Sequence, residues 1–255
     1  MSQTQNKPIV LITGASSGFG KACAKKYNLA GYPVILVARR LEKLTALAAS
    51  LNSAYPIHIA KLDVTNKSEI KEFVKNLPDR FKKVGVLVNN AGLAVGSAPI
   101  HETIEDDFER MIDTNIKGLV NMSRQIAPIM VANNSGHIVN IGSIAGSWPY
   151  PGGNVYGGTK AFVQQFSRGL RADLLGKNIR VTNIEPGMAE TEFSNVRFKG
   201  DGTKADNVYA GVKPLVADDI AETVFFATSM PAHANINSLE VMPTCQAWGA
   251  LAVAR

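Results

Sequence analysis

The 255-residue sequence predicts a doubly wound α/β domain, a mainly parallel seven-stranded sheet with helices on both faces. Three observations carry this. Short unbroken apolar runs such as IVLIT at 9–13 have the character of strands buried on both faces. Segments with helical spacing separate these runs from one end of the chain to the other, as right-handed parallel crossovers require. The small-residue turn TGASSGFG at 13–20 joins the first strand to the first helix, where sheets of this kind bind ligands.

In order, the strand at 9–13 runs into Gly14 and is followed by a helix at 18–29. The alternation repeats as strand 33–38, helix 41–51, strand 57–62, helix 67–77 and strand 84–89. Helical spacing then covers 105–133, followed by strand 137–141, helix 156–175 and strand 180–185. A helix at 218–228 and a strand at 238–242 complete the pattern. No linker, charge block or repeat divides the chain, so one domain over 1–255 is expected. The long irregular stretch at about 188–214 follows the sixth strand and is the candidate substrate lid, with a weakly charged tail at 243–255.

Composition removes several classes. Hydrophobic residues make up 45% and charged residues 19%, which is globular. The net charge of +6 makes an anionic partner worth considering, but the basic residues are spread along the chain without a stripe or base-stacking aromatics, so no nucleic-acid role is expected. Cys23 and Cys245 show no zinc or redox spacing and the four histidines no H-E-x-x-H pair, so no metal site is expected. Residues 125–159 carry no Asp, Glu, Lys or Arg, yet Asn, Pro and Gly interrupt them, so they read as buried interior and no membrane role is expected. The first residues, MSQTQNKP, contain no apolar stretch, so a secretory signal is not expected and a reducing cytoplasm is.

The turn at 13–20 has the composition of a phosphate cradle. Gly14, Ser16, Ser17, Gly18, Phe19 and Gly20 bring small residues and a helix N-terminus, with its unpaired N–H groups, to one place. About twenty residues on, the second strand ends in Arg39-Arg40. An acidic residue there would bond a ribose 2′-hydroxyl, whereas guanidinium suits a 2′-phosphate, so the pair favours NADP(H) over NAD(H). Asp63 and Val64, after the third strand, are expected beside the adenine. Asn90, Ala91 and Gly92, after the fourth, are expected along the ribose and pyrophosphate.

T-G-x-x-x-G-x-G, N-N-A-G, Ser143 thirteen residues before Tyr156, Tyr-x-x-x-Lys ending at Lys160, and Pro186-Gly187 together resemble the short-chain dehydrogenase/reductase family over nearly the whole chain. The segments GSIAGSWPYPGGNVYGGTKAFVQQFS and EPG…TEFSNVRFKGD resemble more narrowly the NADP-dependent 3-hydroxy acid dehydrogenases, a subgroup acting on serine, allo-threonine, malonic semialdehyde and sulfoacetaldehyde. The resemblance implies a Rossmann-like domain and a homotetramer built on the helices at 105–133 and 156–175.

Tyr156 and Lys160, at i and i+4, share one helix face, so the ammonium is expected to lower the phenol pKa and fit Tyr156 for proton transfer. Lys160 would also bond the nicotinamide ribose. The resemblance implies that Ser143 holds the substrate oxygen, that Asn115 interrupts its helix to position a water in a proton relay, that Pro186 and Gly187 back the nicotinamide, and that Thr191 bonds its carboxamide. Singly, a Tyr-x-x-x-Lys pair is common on helix surfaces and Ser143 could cap a turn; their joint order and spacing make the constellation specific.

Pocket walls are expected from 93–99, 148–154 and the lid, with Tyr150 in a stiff bulky segment suited to a small substrate. Arg197 and Lys199 are candidates to clamp a carboxylate or sulfonate, and the tail is expected to dock on a neighbouring subunit and present Arg255 to its pocket. The expected activity is hydride transfer between NADP(H) and a small acidic aldehyde or 3-hydroxy acid. The alternatives are a general carbonyl reductase and a non-catalytic NADP-binding regulator, the latter disfavoured by an intact Asn115, Ser143, Tyr156 and Lys160 set. A serine hydrolase is not the expected reading: Ser143 does not lie in G-x-S-x-G, and Ser16, which does (Gly14-Ala15-Ser16-Ser17-Gly18), belongs to the turn read here as a phosphate cradle.

Overall fold

Seven parallel strands, in the order β3-β2-β1-β4-β5-β6-β7, form one continuous sheet. They are β1 (Ile9–Thr13), β2 (Val34–Ala38), β3 (Ile57–Lys61), β4 (Val84–Asn89), β5 (Gly136–Ile141), β6 (Ile179–Pro186) and β7 (Ser238–Val241). The computed structural model describes residues 7–249 and Val253. The strand order reverses between β1 and β4, so their carboxyl ends open a crevice at the switch point.

The helices are α1 (Gly18–Leu29), α2 (Leu41–Ser50), α3 (Lys67–Lys75), α4 (Glu105–Ile112), α5 (Leu119–Ala132), α6 (Asn154–Asp173), α7 (Glu192–Arg197), α8 (Gly202–Tyr209) and α9 (Ala217–Ser229). Alternation along β1 explains the two-sided core. Val10 and Ile12 pack in one cluster with Cys23 and Tyr27 of α1, Leu44 of α2 and Val224 of α9. Ile9 and Leu11 face the other cluster, with Ile70 of α3 and Met122, Ile126 and Met130 of α5.

Residues 105–133 are not one continuous helix: as expected at Asn115, the helix is interrupted, by a π-helical turn, Asp113–Gly118, that separates α4 from α5. The turn contains Asn115, whose buried carboxamide bonds the Leu93 backbone in both directions. Residues 188–214 are not irregular either, since they contain α7 and α8. Thr191 Oγ1 accepts from the Phe193 amide and Asp201 Oδ1 from the Lys204 amide, so each short helix has its side-chain cap. A parallel bridge between Ala189 and Leu215 closes the base of this segment.

Candidate active site

The glycine-rich turn is shaped by contacts that exclude side chains. Gly14 has φ +65°, and a Cβ there would lie 2.9 Å from Asn90 Nδ2. Thr13 Oγ1 accepts from the Asn90 and Ala91 amides at 3.0 and 2.9 Å, and Asn90 Nδ2 donates to Thr13 O at 2.8 Å. The β1 and β4 loops are thus clasped edge to edge. Gly20 plays a different part from the one expected: it does not line the cleft, and a Cβ on it would sit 2.5 Å from Gly14 O, so it lets α1 pack close to the turn. No acidic residue occupies the first turn of α1, and its N-cap Ser17 makes no side-chain cap bond, leaving that positive helix end turned to the cleft.

The cleft has a volume of about 350 Å³. Gly14, Ser16, Ser17, Gly18 and Phe19 line it together with Arg39, Arg40, Asp63, Val64, Asn90, Ala91 and Gly92. Ser143, Tyr156, Lys160, Pro186, Gly187 and Thr191 line its other end. Residues far apart in sequence are therefore gathered on one concave surface. Leu93, Glu192, Phe193 and Val196 also line it, within the segments expected to wall the pocket, whereas Leu62, Thr114, Ile141 and Gly142 line it without having been singled out from sequence. The types of these four carry no signal, although each adjoins a motif.

Arg40 is oriented by the cradle itself. Its Nη2 donates to Ser16 and Ser17 Oγ at 3.0 and 2.8 Å, and its Nη1 lies 3.0 Å from Glu192 Oε2. Arg39 is exposed at the rim. At the other end, the Ser143 hydroxyl, which accepts from the Ala145 amide at 3.1 Å, is close enough to Tyr156 to oppose the rise of its pKa, and Lys160 Nζ donates to Ile141 O at 2.8 Å. Asn115 Nδ2 donates to Leu93 O at 2.8 Å and to Thr159 Oγ1 at 3.0 Å, tying the π-helical turn to α6 beside Lys160.

The expected lowering of the Tyr156 pKa by Lys160 is not found in the protein by itself. Burial pushes the phenol up, the Tyr150 phenol adds to this, and the Ser143 hydrogen bond and the Arg197 charge only partly oppose it. Lys160 Nζ stands 5.7 Å from the Tyr156 ring centroid and spends a proton on Ile141. Burial also brings the Lys160 ammonium down to about 8.

Because the unfolded lysine keeps its ordinary, higher value, folding expels a proton between about pH 8 and 10.5, and the charged lysine destabilises the fold below that window. Lys160→Met should therefore raise stability at pH 7 by about 1–3 kcal/mol, allowing for the lost bond to Ile141. Thermal unfolding checks this: the advantage over wild type should shrink as pH rises through 8 to 10.5. An equal difference at both ends would contradict the buried-charge account.

The substrate side departs from expectation in three places. Lys199 does not clamp an anion: its Nζ forms a 2.8 Å ion pair with Asp107, whose carboxylate is buried and would otherwise be left uncompensated. Of 93–99 only Leu93 lines the main cleft, and none of 148–154 does; Val95–Ala98, Gly152 and Asn154 bound a separate cavity of about 140 Å³ behind Tyr156. Tyr150 and Arg197 also stand outside the lining, but at its end, where the Arg197 guanidinium lies 5.1 Å from the Tyr150 ring centroid. Buried Arg197 Nε has no hydrogen-bond partner.

The tail folds back on its own chain where described: Gln246 Oε1 accepts from the Met188 amide at 2.8 Å, and Gln246 bridges Val253. Trp248 remains 78% exposed. Arg255 lies outside the described residues. Among the described residues no helix is long and apolar enough to cross a membrane, and no group of three or more His, Cys, Asp or Glu could hold a metal.

Comparison with known proteins agrees with this geometry. The family model for short chain dehydrogenase matches residues 8–201. The chain is 51% identical over 248 residues to sulfoacetaldehyde reductase 2 of Chromohalobacter salexigens, covering 97% of this chain and 98% of that one. It is equally 51% identical to the NADP-dependent 3-hydroxy acid dehydrogenase YdfG of Escherichia coli K12, covering 97% and 99%. The closed form of serine dehydrogenase complexed with NADP+ superposes with a TM-score of 0.93 at 51% identity, covering 97% and 99%. The chain belongs to the short-chain dehydrogenase family.

Proposed function

We propose that the protein is an NADP(H)-dependent oxidoreductase that interconverts a small acidic aldehyde and its 3-hydroxy acid, or the sulfonate counterpart, sulfoacetaldehyde and isethionate. Relatives with these activities at 51% identity support the substrate class. The single observation that carries the anionic part is Arg197. Its guanidinium stands near enough to Tyr156 to lower the phenol, and its buried Nε is unpartnered. A buried donor left unpaired is costly unless a ligand completes it.

NADP(H) fits the residues present. The cradle that a Cβ would fill, the acid-free N-terminus of α1 and the Ser-held Arg40 suit a pyrophosphate and a 2′-phosphate. Gly14, Ser16, Ser17, Gly18, Phe19, Asn90, Ala91 and Gly92 would hold the diphosphate and ribose, Asp63 and Val64 the adenine, Arg39 and Arg40 the 2′-phosphate, and Pro186, Gly187 and Thr191 the nicotinamide. When bound, NADPH supplies a hydride for the carbonyl carbon.

The chain's own residues handle the proton. Ser143 orients the carbonyl oxygen, and Tyr156 Oη gives that oxygen its proton as the alcohol forms. The high phenol pKa keeps Tyr156 protonated at neutral pH, which is the form reduction requires. Lys160 and Arg197 are the cations available to the phenolate that remains, and Asn115 holds the relay by which it is reprotonated. In oxidation the same proton travels back.

A homotetramer using α5 and α6 is part of the proposal; the 37% exposed Phe162 and the ring stack of Phe162 on Phe166 along α6 support an interface there. A reducing cytoplasmic setting accords with two free cysteines.

Two measurements test this reading. Isethionate and 3-hydroxypropionate should inhibit aldehyde reduction competitively, whereas uncharged 1-propanol should not; equal inhibition by all three would contradict it. Arg39→Ala with Arg40→Ala should weaken NADPH binding about a hundredfold and NADH severalfold at most, on the scale of charge-assisted bonds to phosphate. An equal loss for both cofactors would remove the pair from 2′-phosphate recognition.

A further inference from the structure

The adenosine end of the cleft contains an ion cluster that the proposed reaction does not use. Glu192, the first residue of α7, faces Arg40 Nη1 and Lys43 Nζ, each 3.0 Å from a carboxylate oxygen. The same guanidinium reaches Ser16 and Ser17 Oγ through Nη2, and Glu192 lines the cleft. Burial works against its ionisation, yet the bonds from Lys43 and Arg40 hold the carboxyl below its ordinary range. Two cations from the α2 segment thus converge on one lid carboxylate, beside the position assigned to a phosphate dianion.

We propose that Glu192 is an internal competitor for the 2′-phosphate: it pairs with Arg40 and Lys43 until NADP(H) binds, offsetting one of their two charges, and so sets how strongly phosphorylated is preferred over unphosphorylated dinucleotide. The inference rests on placing the 2′-phosphate at Arg40. A carboxylate and a phosphate dianion drawn to the same guanidinium and ammonium repel each other at close range, so each weakens the hold on the other. Lys43, three residues beyond Arg40 and in α2, becomes a further specificity residue once Glu192 lets go. By linkage, the 2′-phosphate also loosens the tie between α2 and the start of the lid, while NAD(H) leaves that tie in place.

Titration of the full-length enzyme with adenosine 2′,5′-bisphosphate and with 5′-AMP, by calorimetry at low salt, tests this without turnover. Glu192→Gln keeps the side chain's shape and should tighten the bisphosphate about five- to tenfold, with 5′-AMP unchanged and the gain shrinking at high salt. Lys43→Met should weaken the bisphosphate about tenfold and leave 5′-AMP alone. In wild type, amide exchange across α7 should be faster with the bisphosphate than with 5′-AMP.

Unchanged or weaker bisphosphate binding in Glu192→Gln overturns the inference. If Arg40→Met in the same assay abolishes the preference for the bisphosphate, the placement of the 2′-phosphate survives that failure. If Arg40→Met retains the preference, the placement falls and the inference with it.

Discussion

Tyr156→Phe should lower kcat for aldehyde reduction by about a thousandfold or more, the range for loss of a positioned general acid. The phenyl ring fits the same space, packed against the Phe193 ring at a centroid distance of 5.6 Å, so the fold and the cleft are preserved. NADPH affinity should change by less than about twofold, because the phenol oxygen contributes to proton transfer more than to the hold on the dinucleotide. Rapid-mixing kinetics with fluorescence titration of NADPH checks both. Substantial residual kcat would assign the proton to another donor, and a parallel loss of NADPH binding would make Tyr156 a cofactor anchor instead.

Arg197→Met should reduce kcat/KM for an acidic aldehyde by about a hundredfold, since a bond to a charged group contributes about 1.5–3 kcal/mol. Methionine can keep much of the packing on Tyr150 and Phe198 that the guanidinium makes. The loss should fall mainly on KM, and a neutral aldehyde of the same length should change less than about threefold. Equal losses on both substrates would show that Arg197 supports the lid rather than the anion. Its carbonyl does accept from the Gly96 amide at 2.9 Å, so this split is the discriminating readout.

The sheet was legible because parallel strands are buried on both faces. IVLIT and VILVA need no alternation to be recognised, and they end immediately before Gly14 and Arg39. The two ends of the cleft were legible for the same reason: in this topology a motif after a strand's carboxyl end faces the crevice. Gly20 shows the limit of motif reading. Its spacing matches the cradle, but it lets α1 approach Gly14 and does not line the cleft.

Charge pairing was not legible. Lys199 looked like a free lid cation because nothing local announces Asp107, and Glu192 carried no signal because Arg40 lies 152 residues away. The caps at Thr191 and Asp201 were visible as residue types, but helices as short as α7 and α8 present too few turns for a hydrophobic period to emerge. The direction of the Tyr156 shift was also hidden. Helical spacing correctly brings Lys160 near, while burial, which dominates both groups, is a property of the assembled fold.

The most direct measurement is steady-state NADPH oxidation at 340 nm across malonic semialdehyde, sulfoacetaldehyde and propanal, with NADH as control. The account predicts a kcat/KM for one acidic aldehyde about a hundredfold above that for propanal, on the scale of one charge-assisted recognition contact, and little activity with NADH. Comparable efficiency with propanal would contradict it, making Arg197 a bystander and the protein a general carbonyl reductase.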